Sequence, residues 1–448
     1  MYNKKYLRTA RSAAGITAFE RNGKMEKNRM ELLPGVFLTV LSTDKFKTNC
    51  LSMSLLRPLR QEENAMNALL PDVLLRGCGI CPDMGELSAW LDQRYGAGIQ
   101  STVRKKGEVQ AIGFFLDYIN ERYTLEGENL TEDACALLGS LLLNPVLEGG
   151  VFRKDYVEGE KINLINAILS QINDKRTYAS IRLREEMFRD EAYGVSKYGD
   201  QQQVMEITPE ALYAHYQSVL ATSQIELIFT GSCDIEVLKA ALLRGLEGLP
   251  RKTLTAIGTQ PGSMPETVRE IEETMDVTQG KLVMGLRTGI TAGDDDYPAL
   301  LMMNGVFGGS LTSKLFMNVR EKMSLCYYAS SGIDRMKGVM VVSSGVDMDK
   351  YETARKEIMV QLEACRKGEI TEEELESTRS FLISSLKTGE DSPYNMDDFQ
   401  LGQVIGGYDY TTQSLADALA TVTVPQIQEA ANKLKLDTVY FLRGEEQA

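Results

Sequence analysis

Apolar and polar positions alternate in two rhythms early in the chain. "LSMSLLRPL", from Leu51, reads as a strand. A polar turn follows, then Met66, Leu69, Leu70, Val73 and Leu74 fall at the i, i+3, i+4, i+7 spacing of an amphipathic helix. Pro71 lies inside that helix, where an internal proline removes a backbone donor and costs about 3 kcal/mol. After a glycine break the pattern predicts a second helix, a strand, a Lys-Gly turn and a further strand, ending near residue 116.

The same order recurs over residues 281–346. "LSMSLLRPL" matches "LVMGLRTGI", and "NALLPDVLLRGCG" matches "PALLMMNGVFGGS". "LSAWLDQRYGAGI" matches "SKLFMNVREKMSLCYYASSGI", and "VRKKGEVQAIGFFL" matches "DRMKGVMVVSSGV". The separation between Gly77 and Gly308 equals that between Gly107 and Gly338. Agreement over a whole strand–helix–strand unit points to an internal duplication.

Each half continues with helices and a closing strand. The first half predicts helices over about 129–147, 150–172, 176–189 and 207–221, then the strand "QIELIFTG" and a helix in "DIEVLKAALLRGLEGL". In the second half, "YETARKEIMVQLEACRKG" and "TEEELESTRSFLISSLKTG" are helical, and "DTVYFLRG" is the counterpart strand. The expected fold is α+β: two homologous domains in tandem, each an antiparallel-rich sheet with helices on one face. Their bounds are 31–248 and 269–448. Residues 249–268, with Pro250, Pro261 and Pro265, form the linker. Residues 1–30 are basic and lack the apolar core of a signal peptide, which leaves a flexible extension or an upstream start ahead of Met25 or Met30.

Composition narrows the function classes. With 448 residues, a net charge of −14 and a pI near 4.9, the surface repels nucleic-acid phosphates and anionic lipids. No run approaches the length of a membrane span. Seven cysteines at scattered spacing predict free thiols and a reducing, cytoplasmic compartment. Cys78 and Cys81 form a lone C-x-x-C that follows a helix and precedes Pro82, a poor setting for zinc or redox chemistry. The chain holds a single histidine, His215, which reads as a packing or surface residue. No site that needs two imidazoles can form. Phosphate-binding and nucleophile-elbow motifs are also missing: Gly280-Lys281 lacks an upstream glycine, and "GGSLT" lacks the closing one. "DDDYP" at 294–298 reads as a helix start rather than a cation site.

The duplicated halves, "VTQGKLVMGL", and "GGSLTSKLFMNVREKMSLCYYASSG" with Arg320, Glu321, Leu325 and Tyr327 at R-E-x-x-x-L-x-Y spacing together resemble the insulinase/pitrilysin-type zinc metallopeptidases, the inverzincins. The resemblance runs from about residue 33 to the end. In that family H-x-x-E-H lies on the first long helix: two histidines hold zinc and the glutamate is the general base. Here those positions carry Ala68, Pro71 and Asp72. The later glutamate ligand falls on Ala167, while Glu160, one heptad earlier, is retained. The resemblance therefore implies a zinc-less member with no cofactor, inactive alone.

Such members pair with an active paralogue around a peptide chamber. "KFKTN", "ALLP", "RYGA", Asp174–Ala179 as D-K-x-x-Y-A and "LDTVYFLRG" narrow the resemblance to a Gram-positive group associated with 5-aminopentanol modification of elongation factor P. The family role of the second half implies that Arg320 anchors a peptide backbone and Tyr327 donates to the oxyanion, both in trans on an H-x-x-E-H partner. Gly305, Gly308 and Gly309 would let peptide approach closely. On the residues alone, Arg320 and Glu321 also fit a surface ion pair, Tyr327 a strand residue, and the glycines a helix C-cap turn. The alternative function is a structural or binding protein, with self-association in place of a heterodimer.

Overall fold

The computed structural model describes residues 26–445. The first half opens with strands β1 (Glu26–Leu33), β2 (Val36–Ser42) and β3 (Thr48–Pro58), then α1 (Asn64–Leu75) and α2 (Met84–Asp92). Helix α1 runs through Pro71 without a break. Strands β4 (Gly98–Lys106) and β5 (Val109–Ile119) form a hairpin whose turn residue Gly107 has φ of 58°, the left-handed region that favours glycine. Next come α3 (Leu130–Leu143), a short hairpin of β6 (Leu147–Glu148) and β7 (Val151–Phe152), α4 (Lys154–Asn173) and α5 (Lys175–Met187). Helices α6 (Gln201–Glu206) and α7 (Pro209–Thr222), strand β8 (Gln224–Gly231) and helix α8 (Ile235–Gly245) complete this half. Of the extension read over 1–30, residues 1–25 lie outside the described part, and 26–30 belong to β1.

The second half comprises β9 (Arg269–Thr274), β10 (Gly280–Arg287) and α9 (Tyr297–Asn304), which Asp296 precedes and Pro298 opens. Two π-helical segments follow, Gly305–Gly309 and Leu315–Lys322. Strands β11 (Cys326–Asp334) and β12 (Val339–Val346) lead into α10 (Tyr351–Arg366), α11 (Glu372–Gly389), α12 (Pro393–Gly406), α13 (Thr412–Thr421), α14 (Val424–Lys433) and β13 (Lys435–Arg443).

The two sheets share one topology. The first is ordered β1-β2-β8-β3-β5-β4, and the second, from its far edge, β9-β13-β10-β12-β11. In each, one parallel contact (β2 with β8, β9 with β13) adjoins an otherwise antiparallel sheet. Gly338 turns the β11–β12 hairpin with φ of 63°, as Gly107 does in the first half. The duplicated, antiparallel-rich α+β architecture read from the sequence is the one observed; β1 is the addition.

The halves exchange a helix. On one face of each sheet lie that half's own helices, with Leu227 and Phe229, or Val439 and Phe441, pointing into the core. The opposite face is covered from across the molecule. Ala179 and Leu183 of α5 pack on Val283, Tyr440 and Leu442 of the second sheet. Met396, Leu401 and Ile405 of α12 pack on Leu41, Leu56 and Ile228 of the first. Strands buried on both faces need apolar residues at successive positions, which accounts for "QIELIFTG" and "DTVYFLRG".

Buried charges lock this exchange. Lys337, 1 % exposed, donates to Glu108 at 2.9 Å, to Glu191 at 2.9 Å and to the Gln260 carbonyl at 2.6 Å. Arg287 reaches Asp437 at 2.8 Å and Glu191 at 3.3 Å. The segment read as a linker is tied down as well: Arg251 donates to the carbonyls of Pro34, Leu220 and Ser223.

Candidate functional site

Ala68, Pro71 and Asp72, the positions the resemblance aligns with the zinc motif, lie on α1, which packs on α4 and β4. Ala68 is wholly buried and Pro71 lines a small apolar pocket with Leu55, Leu74 and Ile112. Asp72 points to the sheet edge, where its Oδ1 accepts the Ser101 hydroxyl at 2.5 Å. Burial, chiefly, and the nearby Glu160 raise the Asp72 carboxyl above its ordinary range, against the Ser101 bond that lowers it. Glu160 is buried on α4 and spoken for: Arg76 reaches Oε1 at 3.1 Å and Asn163 reaches Oε2 at 2.8 Å. Ala167 offers only a methyl group. A methyl, a pyrrolidine ring and one carboxylate held by a hydroxyl do not fit a zinc ion, which takes four N, S or O donors. Among the described residues no group of three or more His, Cys, Asp or Glu is placed to hold a metal.

The one histidine lies close by and serves another end. His215 Nε2 is 2.7 Å from Asn67 Oδ1, and Asn67 in turn donates to Gln110 at 3.0 Å. Burial pulls the imidazole down to about 4, so it stays neutral at physiological pH. Cys78 and Cys81 are both buried free thiols. Burial first, then the neighbouring Cys78, pushes Cys81 up to about 11, so it carries almost no thiolate at neutral pH.

Arg320 lies near the end of the π-helical segment Leu315–Lys322, and Tyr327 is the second residue of β11. The segment carrying Arg320 is anchored from below: buried Lys314 binds Glu374 at 2.8 Å, and Asn318 binds Gln361 at 2.7 Å. Arg320 itself lies over the Phe316 ring at 4.6 Å, with only a 3.6 Å contact to Glu321. Pairing with β12 skips a register step between Cys326 and Tyr328, so Tyr327 sits on a bulge. Its side chain is 63 % exposed. Leu311, Met317 and Met323 of the same stretch are also exposed.

Gly305 is the C-cap residue of α9, in the right-handed region, and its N–H reaches the Leu301 and Met302 carbonyls. The chain continues from it as a π-helical turn. A Cβ on Gly305 would come within 2.4 Å of Thr378, and one on Gly308 within 2.6 Å of Ser331 Oγ. Gly305 and Gly308 are buried and allow α11 and β11 to approach; Gly309 is partly exposed.

A second feature escaped the sequence reading. A cleft of about 440 Å³ opens between β4, α5 and residues 194–197. It carries Lys105, Arg176, Arg184 and Lys197. The only signal in the sequence was the Arg176, Ser180, Arg184 stripe at i, i+4, i+8 on α5, with partners from distant segments.

The family profile "Peptidase M16 inactive domain" matches residues 206–382. The chain is 36 % identical over 414 residues, 92 % of its length and 97 % of the relative's, to the probable inactive metalloprotease YmfF of Bacillus subtilis. It is 21 % identical, over 81 % of its length and 84 % of the relative's, to a non-peptidase homologue of Helicobacter pylori. Among solved structures, a conserved protein of Enterococcus faecalis superposes with a TM-score of 0.87 at 31 % identity, covering 94 % of this chain and 99 % of that one. The chain belongs to the M16 (insulinase/pitrilysin-type) metallopeptidase family as a degenerate, non-catalytic member.

Proposed function

We propose that this chain is the non-catalytic subunit of an M16-type peptidase pair, binding peptide and lending Arg320 and Tyr327 in trans to an H-x-x-E-H paralogue. One observation carries the reading: Tyr327 stands exposed and Arg320 half-exposed on a stretch anchored through Lys314 and Asn318, which also exposes Leu311, Met317 and Met323. A guanidinium and a phenol held outward on a rigid base suit anchoring and oxyanion donation to a facing site. Exposed apolar side chains around them suit an interface core. Among the described residues strand β4 pairs only with β5, which leaves an edge, ahead of the Val103 carbonyl that Lys197 takes, on which an extended peptide can add as a further strand. Of the three glycines, Gly309 is the one a peptide can approach.

Seven free cysteines support a reducing, cytoplasmic setting, and among the described residues no helix is long and apolar enough to cross a membrane. The link to 5-aminopentanol modification of elongation factor P belongs to the same proposal. Its test is the mass of that factor from cells lacking this chain, and an unchanged mass removes the link.

The test of the main reading mixes the purified chain with its H-x-x-E-H paralogue and follows cleavage of an unstructured peptide. Cleavage is expected to require both chains and to fall about a hundredfold with Tyr327→Phe. Cleavage by the paralogue alone, or no response to Tyr327→Phe, leaves a structural or binding protein, as a homodimer or alone.

A further inference from the structure

The cleft beside β4 gathers four cations in a chain whose net charge is −14. None of them has a carboxylate in hand. Lys105 Nζ donates to the carbonyls of Tyr193 at 2.5 Å and Val195 at 2.9 Å. Lys197 Nζ donates to the Val103 carbonyl at 2.8 Å. Arg176 lies over the Tyr328 ring at 4.3 Å and makes a long 3.4 Å contact to Ser330 Oγ. Arg184 has no side-chain hydrogen bond or ion pair among the described residues.

Nearby carboxylates have other partners: Asp174, which feels the Arg176 charge, accepts the Thr177 hydroxyl at 2.5 Å. Glu185, on the cleft wall, binds Arg182 at 2.5 Å. Asp334 accepts the Tyr193 hydroxyl at 2.5 Å, and Glu108 accepts Lys337 at 2.9 Å. Burial first, and then the Arg184 charge, bring Lys105 down to about 7. Asp334, Glu185 and Glu108 offset part of this charge from a distance, but no carboxylate is bonded to Arg176, Arg184 or Lys197 among the described residues, which leaves their side chains able to meet a ligand's counter-charge.

Position fixes the kind of ligand. Lys197 occupies the Val103 carbonyl, so a strand added on the β4 edge ahead of Val103 would run on into the cleft. Arg176, Ser180 and Arg184 project into it from one face of α5, while Ala179 and Leu183 hold the other face to the second sheet. Two guanidiniums on a docked helix, with hydroxyls between them, are suited to carboxylates. We propose that this cleft recognises the acidic side chains of an extended peptide lying along β4, so that the bound substrates are rich in Asp and Glu. The inference rests on the peptide-binding reading above and adds its charge preference.

The test uses the full-length chain and two fluorescein-labelled peptides of alternating Glu and Ala, or Gln and Ala, followed by polarisation at low ionic strength. The Glu peptide is expected to bind about tenfold tighter than the Gln peptide, although the net charge of the protein opposes it. Arg176→Gln/Arg184→Gln, and Arg184→Gln alone, are expected to erase most of that difference and leave the Gln peptide unaffected. Inorganic phosphate separates a general anion site from a peptide site: competition by phosphate as strong as by the unlabelled Glu peptide overturns the proposal. Equal binding of the two peptides overturns the acidic preference while the peptide-binding reading stands. No binding of either peptide overturns both. A Glu preference that survives in the double variant places the site elsewhere and overturns the assignment to this cleft.

Discussion

Arg104 of β4 and Asp397 of α12 meet at 2.5 Å, both buried, in a contact that joins the two halves of the chain. Ser52 of β3 also donates to the same carboxylate. Asp397→Ala leaves the buried guanidinium with only the Ser54 hydroxyl at 3.2 Å and the longer Asp398 contact at 3.7 Å, a change that costs about 3 kcal/mol. We expect a large fall in melting temperature. Replacing both by Arg104→Met/Asp397→Leu is expected to cost less than Asp397→Ala alone, because the uncompensated charge goes with the partner. Equal melting temperatures for the single and double variants would show that the contact, rather than the stranded charge, carries the energy.

His215 sets a pH dependence of stability. Its folded pKa lies near 4, below the 6.5 of a free imidazole, because burial disfavours the charged ring; Arg57 adds to this and Glu63 opposes it. Between these values the unfolded chain binds the extra proton, so acid favours unfolding. The stability is fully present above about pH 6.5 and is lost as pH falls toward 4, by up to about 3 kcal/mol. Chemical denaturation at several pH values in this window reads the slope. His215→Gln keeps a donor for Asn67 Oδ1 and should flatten it; an unchanged slope assigns it to carboxylates instead.

Gly305 tests whether the glycine run serves packing. A methyl group there meets Thr378 at 2.4 Å, inside a buried helix contact. Gly305→Ala is expected to destabilise by about 1–3 kcal/mol. Adding Thr378→Ser removes the Cγ2 that is struck and should restore part of the loss. A Gly305→Ala chain with wild-type melting but weakened peptide binding would instead assign Gly305 to the ligand.

Much of this fold was legible in the sequence, and the part that was not has a physical reason. Helical spacing and glycine breaks exposed the duplication because each half must repeat its core-facing positions to fold the same way. The exchange of α5 and α12 stayed hidden. An amphipathic stripe tells that a helix buries a face, and says nothing of which sheet receives it. The doubly apolar strands "QIELIFTG" and "DTVYFLRG" were the available hint, since a sheet covered on one face would alternate. The D-K-x-x-Y-A stretch served as a family signature, yet its residues turn out to do mechanical work: Asp174 caps α5, and Tyr178 binds Glu273 across the halves at 2.6 Å. Arg320 and Tyr327 can be singled out from the sequence because they share one short segment. The cationic cleft cannot, because β4, α5 and the 194–197 loop meet only in space.

The α1 scaffold has also lost the means to regain a metal. A chain carrying Ala68→His, Pro71→Glu, Asp72→His and Ala167→Glu restores the family's donors on paper. Removing Pro71 relieves a helix penalty of about 3 kcal/mol, which favours the variant. Two other changes act against it. Position 68 is wholly buried under a methyl group, so an imidazole there overpacks the core. Position 71 lines an apolar pocket with Leu55, Leu74 and Ile112, where a carboxylate goes unsatisfied. Zinc ligands also need outer partners to aim them, and here Glu160 is already committed to Arg76 and Asn163. We expect the quadruple variant to melt lower than the natural chain and to carry far less than one zinc per chain by elemental analysis of untagged protein. Stoichiometric zinc with an unchanged melting temperature would mean that the helix kept the aim of its lost site, and that only the four side chains separate this chain from an active one.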